Sequence, residues 1–295
     1  MTITFEAGVA QSLNPRTKQN IKPTPLDGEP LELTNDQDPR TALASWMTSP
    51  ENPFFARALV NRYWKHFFGR GIVEPEDDMR VTNPPSNPAL LDALEASFKQ
   101  SKFDMKALVR TICQSTTYQL DSVPNEYNAD DTQNYARYYA RRFQAEVLLD
   151  SIDQVTQTQT KFNKLPEGTR ALQLPDNSFD TYFLTVFGKP KAASACECER
   201  SDDANLAQAL HLLNSPEVQA KLVAKGGRVE TLALDETRDH QARVTELYQT
   251  VFARPPREDE MALVMRHMEI AETPRQAYED LMWALVNTKE FLFNH

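Results

Sequence analysis

A chain of 295 residues with 40% hydrophobic side chains can bury one large core or two modest ones. Its formal net charge of -10 argues against a general nucleic-acid surface, because phosphate contacts need lysines and arginines that are not outnumbered. No run of roughly 18 apolar residues is present to read as a membrane-spanning helix, and Cys113, Cys196 and Cys198 are too few for a disulfide scaffold.

Residues 1–13 lack a basic start followed by an apolar run, so they do not read as a secretory signal. Taken alone, that predicts a cytoplasmic protein or the tail of a longer precursor. The alternating Thr2-Ile3-Thr4-Phe5 and the spaced Pro15, Pro23, Pro25 and Pro30 predict an extended arm over 1–38 with one or two edge strands. Asp38-Pro39 then starts a first helix carrying Ala42, Leu43 and Trp46.

The stretch from Asn52 to Gly71 predicts the helix around which the chain is organised. Ala56, Leu59, Val60, Tyr63, Trp64, Phe67 and Phe68 share one half of its wheel, and Arg57, Asn61, Arg62, Lys65 and His66 share the other. An acidic turn follows, with Glu74, Glu76, Asp77 and Asp78. Asn87-Pro88 and Asp104 each open a further helix, and a long helix is expected over about Arg137 to Gln154. From Thr156 to Arg200 the periodicity fails, although Tyr182, Phe183 and Phe187 predict that part of this loop docks. Helices are expected again from Asp202 or Asp203, from Ser215-Pro216, and over Val244–Phe252, Glu258–Ala271 and Pro274 to about Phe293. About ten helices and no series of strands place the chain in the mainly α class, with one helical domain over 39–295, divisible into lobes at 39–155 and 201–295.

Several constellations could carry chemistry. Cys196 and Cys198, one residue apart, could hold a soft metal with help from His211, Cys113 or a carboxylate, could close a labile disulfide, or could be plain buried thiols. Glu199 and Arg200 read as an anchor tying the long loop to the helices. On the expected long helix, Arg142, Glu146, Asp150 and Asp153 form a polar stripe in which Glu146 and Asp150 are candidate acid and base, against an ordinary solvated ion-paired face. The turn at Asp78 could bind calcium or supply a carboxylate, or be a solvated acidic turn. Arg57, Asn61, Arg62 and His66, with Arg70 after them, could receive an anionic ligand or buttress buried carboxylates of Asp77 or Asp78. His211 shares a helix side with Gln208, where a satisfied structural histidine is the simpler account. No G-x-S-x-G, phosphate loop, H-E-x-x-H or C-x-x-C-H is present, so this chain cannot hold a c-type haem by itself.

The stretches NPFFARALVNRYWKHFFGRGIVEPEDDMRVTNPPSNPALLDAL, YYARRFQAEVLLDSI, CECERSDDANLAQALHLLNS and WALVNTKEFLFNH resemble the C-terminal domain of large planctomycete-type surface proteins, over about Asn14 to His295. Such proteins pair an N-terminal cytochrome-c-like domain with two domains of unknown function, and this chain resembles only the last. The resemblance implies an exported or cell-envelope setting, haem c on a separate domain with no cofactor in this chain, and cytochrome-c-like and companion domains as partners. It implies no reaction. The expectation is a non-catalytic helical docking module. The alternatives are a hydrolase acting on an extracellular polymer through Glu146, Asp150 or Asp78, and a metal or thiol redox module at Cys196 and Cys198.

Overall fold

Most helices begin where a short polar side chain turns back onto the first free N–H groups. The computed structural model describes residues 12–26, 28–34, 38–176, 178–190 and 206–294. In the arm, strands β1 (Ser12–Leu13) and β2 (Asn20–Ile21) form an antiparallel hairpin with Ser12 opposite Ile21. The expected strand at Thr2 to Phe5 lies outside the described residues. Asp38 accepts from Arg40 N at 2.9 Å and starts α1 (Pro39–Met47). Asn52 Oδ1 accepts from Phe54 N and Phe55 N, both at 2.8 Å, ahead of α2 (Phe55–Phe68), which ends at Gly69 with φ 75°. Asn87 and Asp104 cap α3 (Pro88–Gln100) and α4 (Met105–Cys113) in the same way.

The chain divides into two units, Met1–Tyr139 and Ala140–His295, each with its own core. In the first, Ala56, Val60, Trp64 and Phe68 of α2 pack against Leu91, Leu94 and Phe98 of α3 and Leu108 and Ile112 of α4. Leu59, Tyr63 and Phe67 flank that core as half-buried packing. Trp64 stacks on Phe68 at 4.2 Å, and Tyr135 meets both rings edge-on at 5.4 Å. Helix α2 therefore organises one unit. The expectation that it organises the whole chain is corrected, because the second unit buries a separate core.

That second core runs through α5 (Ala145–Thr156), α6 (Tyr182–Val186), α7 (Leu206–Asn214), α8 (Pro216–Leu222), α9 (Arg228–Leu234), α10 (His240–Phe252), α11 (Glu258–Ile270), α12 (Pro274–Val286) and α13 (Lys289–Leu292). Leu148, Leu149 and Ile152 of α5 and Tyr278 and Met282 of α12 are fully buried in it. With thirteen α-helices and four two-residue strands among the described residues, the fold is mainly α.

Two expectations fail for identifiable reasons. The long helix does not start at Arg137: Arg141–Arg142 form strand β3, antiparallel to β4 (Phe293–Asn294), and Phe143 N donates to Leu292 O at 3.0 Å. Helical periodicity cannot reveal that the end of the chain claims those backbone groups. The final helix stops at Val286, because Thr288 caps a new turn through Phe291 N at 3.2 Å. Helix α9, with Gly227 as its N-cap, is not among the expected helices. In the irregular stretch after α5, Phe183 and Phe187 are buried as expected, whereas Tyr182 stays 70% exposed. A 3₁₀ turn at Ala171–Gln173 precedes α6. The expected helix start at Asp202 or Asp203 lies outside the described residues.

Candidate functional site

In the first unit, the polar residues of α2 hold the turn that follows it. Asn61 was expected on the polar face, but it is fully buried, because its amide serves the backbone of Val73 and Glu76. Its Nδ2 donates to Val73 O at 2.9 Å and to Glu76 O at 3.2 Å, and its Oδ1 accepts from Val73 N at 2.9 Å. Lys65 bridges Glu74 and Glu76 at 3.2 and 2.6 Å, and its hydrogen bond holds the Glu76 carboxyl below its ordinary pKa. Arg62 pairs with Asp77, and Asp78 pairs with Arg80 rather than Arg70, which lowers the Asp78 pKa. Arg57 joins α2 to α3 through Asp92 and Glu95, at 2.6 and 2.9 Å. His66 is exposed, with its ring 5.2 Å from that of Phe67. The Arg70 carbonyl accepts from Tyr135 Oη at 3.1 Å. Burial pushes the Tyr135 hydroxyl up to about 12.

In the second unit, the stripe expected from Arg142 to Asp153 is split. Arg142 stands in β3 and bonds Gln208, so it is not a helical neighbour of Glu146. Glu146 sits in the first turn of α5, where its charge complements the helix dipole. Asp150 is buried and accepts from Ala171 N at 2.7 Å, Leu172 N at 3.3 Å and Arg170 Nε at 3.2 Å, so it caps the 3₁₀ turn. Asp153 accepts from Lys221 and, at 2.8 Å, from Thr160 N.

His211 stands on α7 among the rings of Tyr182, Phe183 and Phe187, at 5.2, 5.6 and 6.2 Å, and burial lowers its pKa. Gln208 Nε2 donates to Val186 O at 3.1 Å. Cys113 is a half-buried free thiol at the end of α4. Cys196, Cys198, Glu199 and Arg200 lie outside the described residues. Among the described residues, no three His, Cys, Asp or Glu side chains gather as metal ligands, and no helix is long and apolar enough to cross a membrane.

Sequence reasoning missed two polar centres of the second unit. Arg254 reaches Glu290 with Nε and Nη2, at 2.6 and 2.7 Å, and Glu260 with Nη1 and Nη2, both at 2.8 Å. Its guanidinium also lies 5.4 Å from the Phe252 ring and 5.9 Å from that of Tyr248. The ion pair holds the Glu260 carboxyl down to about 2. Glu260 is six residues from Arg254 beyond Pro255-Pro256 and was open to guessing; Glu290 was not. The other centre is His240, whose Nδ1 lies 3.1 Å from Tyr278 Oη and 3.2 Å from Arg243 Nη2.

Beside the Arg254 cluster is a cavity of about 280 Å³. It opens where the last turns of α5 and α10 meet α13 and β4. Phe143, Phe252, Phe291 and Phe293 are among the residues that line it.

Compared with known families, residues 39–268 match the model of the family described as PSD1, protein of unknown function (DUF1553). No curated protein and no solved structure matches the chain.

Proposed function

The chain belongs to the PSD1 family of proteins of unknown function (DUF1553), and from that premise we propose that it is a non-catalytic helical module of an exported assembly. In this reading it docks with a cytochrome-c-like domain and a companion domain of planctomycete-type surface proteins. Haem c belongs to the separate cytochrome-like domain, and this chain holds no cofactor of its own. Its task is to hold the haem-bearing part and its neighbour together at the cell envelope, in reach of a large substrate.

One observation carries the reading: the most buried of the carboxylates proposed for catalysis is fully engaged in holding the fold. Asp150 receives two backbone N–H groups and a guanidinium N–H. A general base needs a lone pair aimed at a substrate proton, and a general acid needs a proton held at working pH. The Asp150 carboxylate spends its lone pairs on three donors of its own fold, which leaves none aimed at a substrate proton. Asp78 is chelated by the exposed Arg80, with both contacts at 2.6 Å.

The test is a pull-down and titration calorimetry between this chain and separately produced cytochrome-c-like and companion domains of such a surface protein. The expected result is a saturable complex with at least one of them, kept by Asp150→Asn. A chain that binds neither domain, or that cleaves a polysaccharide in a way Asp150→Asn abolishes, would overturn the reading.

A further inference from the structure

The cavity beside Arg254 has lining chemistry that selects among ligands. Its volume of about 280 Å³ is close to the lower end of ordinary ligand pockets, roughly 300 Å³, which suits a ligand of one or two small rings.

Charge is the first selector. Glu290 is the charged residue of the lining, and the Arg254 that pairs with it is already shared with Glu260. The cavity also adjoins the C-terminal turns of α5 and α10, the negative ends of the two helix dipoles. An anionic ligand is therefore repelled. A cation gains little, since the Glu290 carboxylate already receives two N–H groups from Arg254.

Hydrogen-bond polarity is the second. Ser151 Oγ donates to Val147 O and Thr250 Oγ1 donates to Glu246 O, both at 2.8 Å, so each hydroxyl has spent its proton and has lone pairs left to accept. Gln154, on the same wall, is exposed and adds a carboxamide with no side-chain partner among the described residues. A ligand that fits must supply several O–H donors to these acceptors.

Shape is the third. The four phenylalanines that line the cavity call for apolar C–H surface, and a planar aromatic would offer that surface without the hydroxyl donors. The ligand that combines C–H faces, several O–H donors, neutrality and this size is a neutral pyranose.

We infer that the cavity between α5, α10 and β4 is a binding site for a neutral sugar unit, with the phenylalanines against the ring's C–H face and Ser151, Thr250 and Gln154 receiving its hydroxyls. This site is independent of docking to a haem-bearing partner, and a failed pull-down leaves it standing.

The test uses the whole chain, labelled with ¹⁵N, and follows amide shifts on titration with methyl β-glucopyranoside and methyl N-acetyl-β-glucosaminide. Methyl glucuronide and benzamide serve as the anionic and the planar aromatic comparison. Saturable shifts are expected at Gln154, Thr250 and Phe293 with at least one neutral glycoside, and at least tenfold weaker binding of the glucuronide. Gln154→Ala, at an exposed position that leaves the fold intact by circular dichroism, is expected to weaken the glycoside by roughly fivefold, the loss of about one hydrogen bond. The inference fails if neither glycoside saturates, if benzamide binds where the glycosides do not, or if Gln154→Ala leaves glycoside affinity unchanged.

Discussion

Asn61 meets Val73 as a neighbouring strand would, accepting from its N–H and donating to its C=O, both at 2.9 Å. One amide thus satisfies both backbone groups of a buried residue in an irregular turn. Gly71 makes the approach possible, since a Cβ there would lie 2.3 Å from Val73 O and 3.1 Å from Asn61 Nδ2. Asn61→Leu is expected to cost the first unit about 2–4 kcal/mol, because it strands a buried N–H and C=O. Gly71→Ala should destabilise the same unit. Urea unfolding followed by circular dichroism checks both, and a loss under about 0.5 kcal/mol for Asn61→Leu would contradict this role.

Asp150 sets a second expectation. Asp150→Ala removes the acceptor of two backbone N–H groups at the 3₁₀ turn and should cost about 2–3 kcal/mol. Asp150→Asn keeps one acceptor oxygen and should lose less. The order of the two, measured by denaturant titration of the second unit, is the informative result, and an Asn variant as damaged as the Ala variant would point to a need for the charge itself.

Arg254 joins the end of α10 to the start of α11 and to α13. Arg254→Met leaves Glu260 and Glu290 facing each other across a half-buried space and is expected to destabilise by about 2–4 kcal/mol. Arg254→Lys should recover less than half, because an ammonium cannot make both forked contacts. Thermal melts of the two variants against the native chain distinguish a forked contact from a simple charge effect.

His240 predicts a pH response. Burial, and then the nearby Arg243 guanidinium, hold its pKa below the ordinary 6.5, so the unfolded chain takes up this proton first. Stability is full above pH 6.5, falls as pH drops below that value, and levels off beneath the folded pKa. His211, lowered by burial, adds a slope of the same sign. His240→Gln should flatten part of the slope between pH 7.5 and 5, roughly the window in which histidine titrates. An unchanged slope in both His240→Gln and His211→Gln would exclude these groups as its source.

Helix starts were legible because their signals are local. A capping side chain at Asp38, Asn87 or Asp104 reaches N–H groups two or three residues away, and all three act as caps here. The apolar side of α2 was legible for the same reason, since one periodic pattern fixes which side chains point inward together. The acidic turn after α2 was visible as an acidic turn, but its partners were not. Lys65 and Arg62 meet it only because Gly69 and Gly71 fold the chain back.

By itself, then, the sequence determined the helical class, most helix starts and the aromatic heart of the first unit, each of which depends on residues a few positions apart. Tertiary structure alone decided that there are two cores, that Arg141–Arg142 pair with Phe293–Asn294, that Asp150 caps a distant turn, and that Glu290 comes to Arg254. These contacts join residues from about 20 to more than 150 positions apart, and no periodicity or spacing encodes them. They form because a buried N–H, carbonyl or charge must find a partner once the apolar faces have packed.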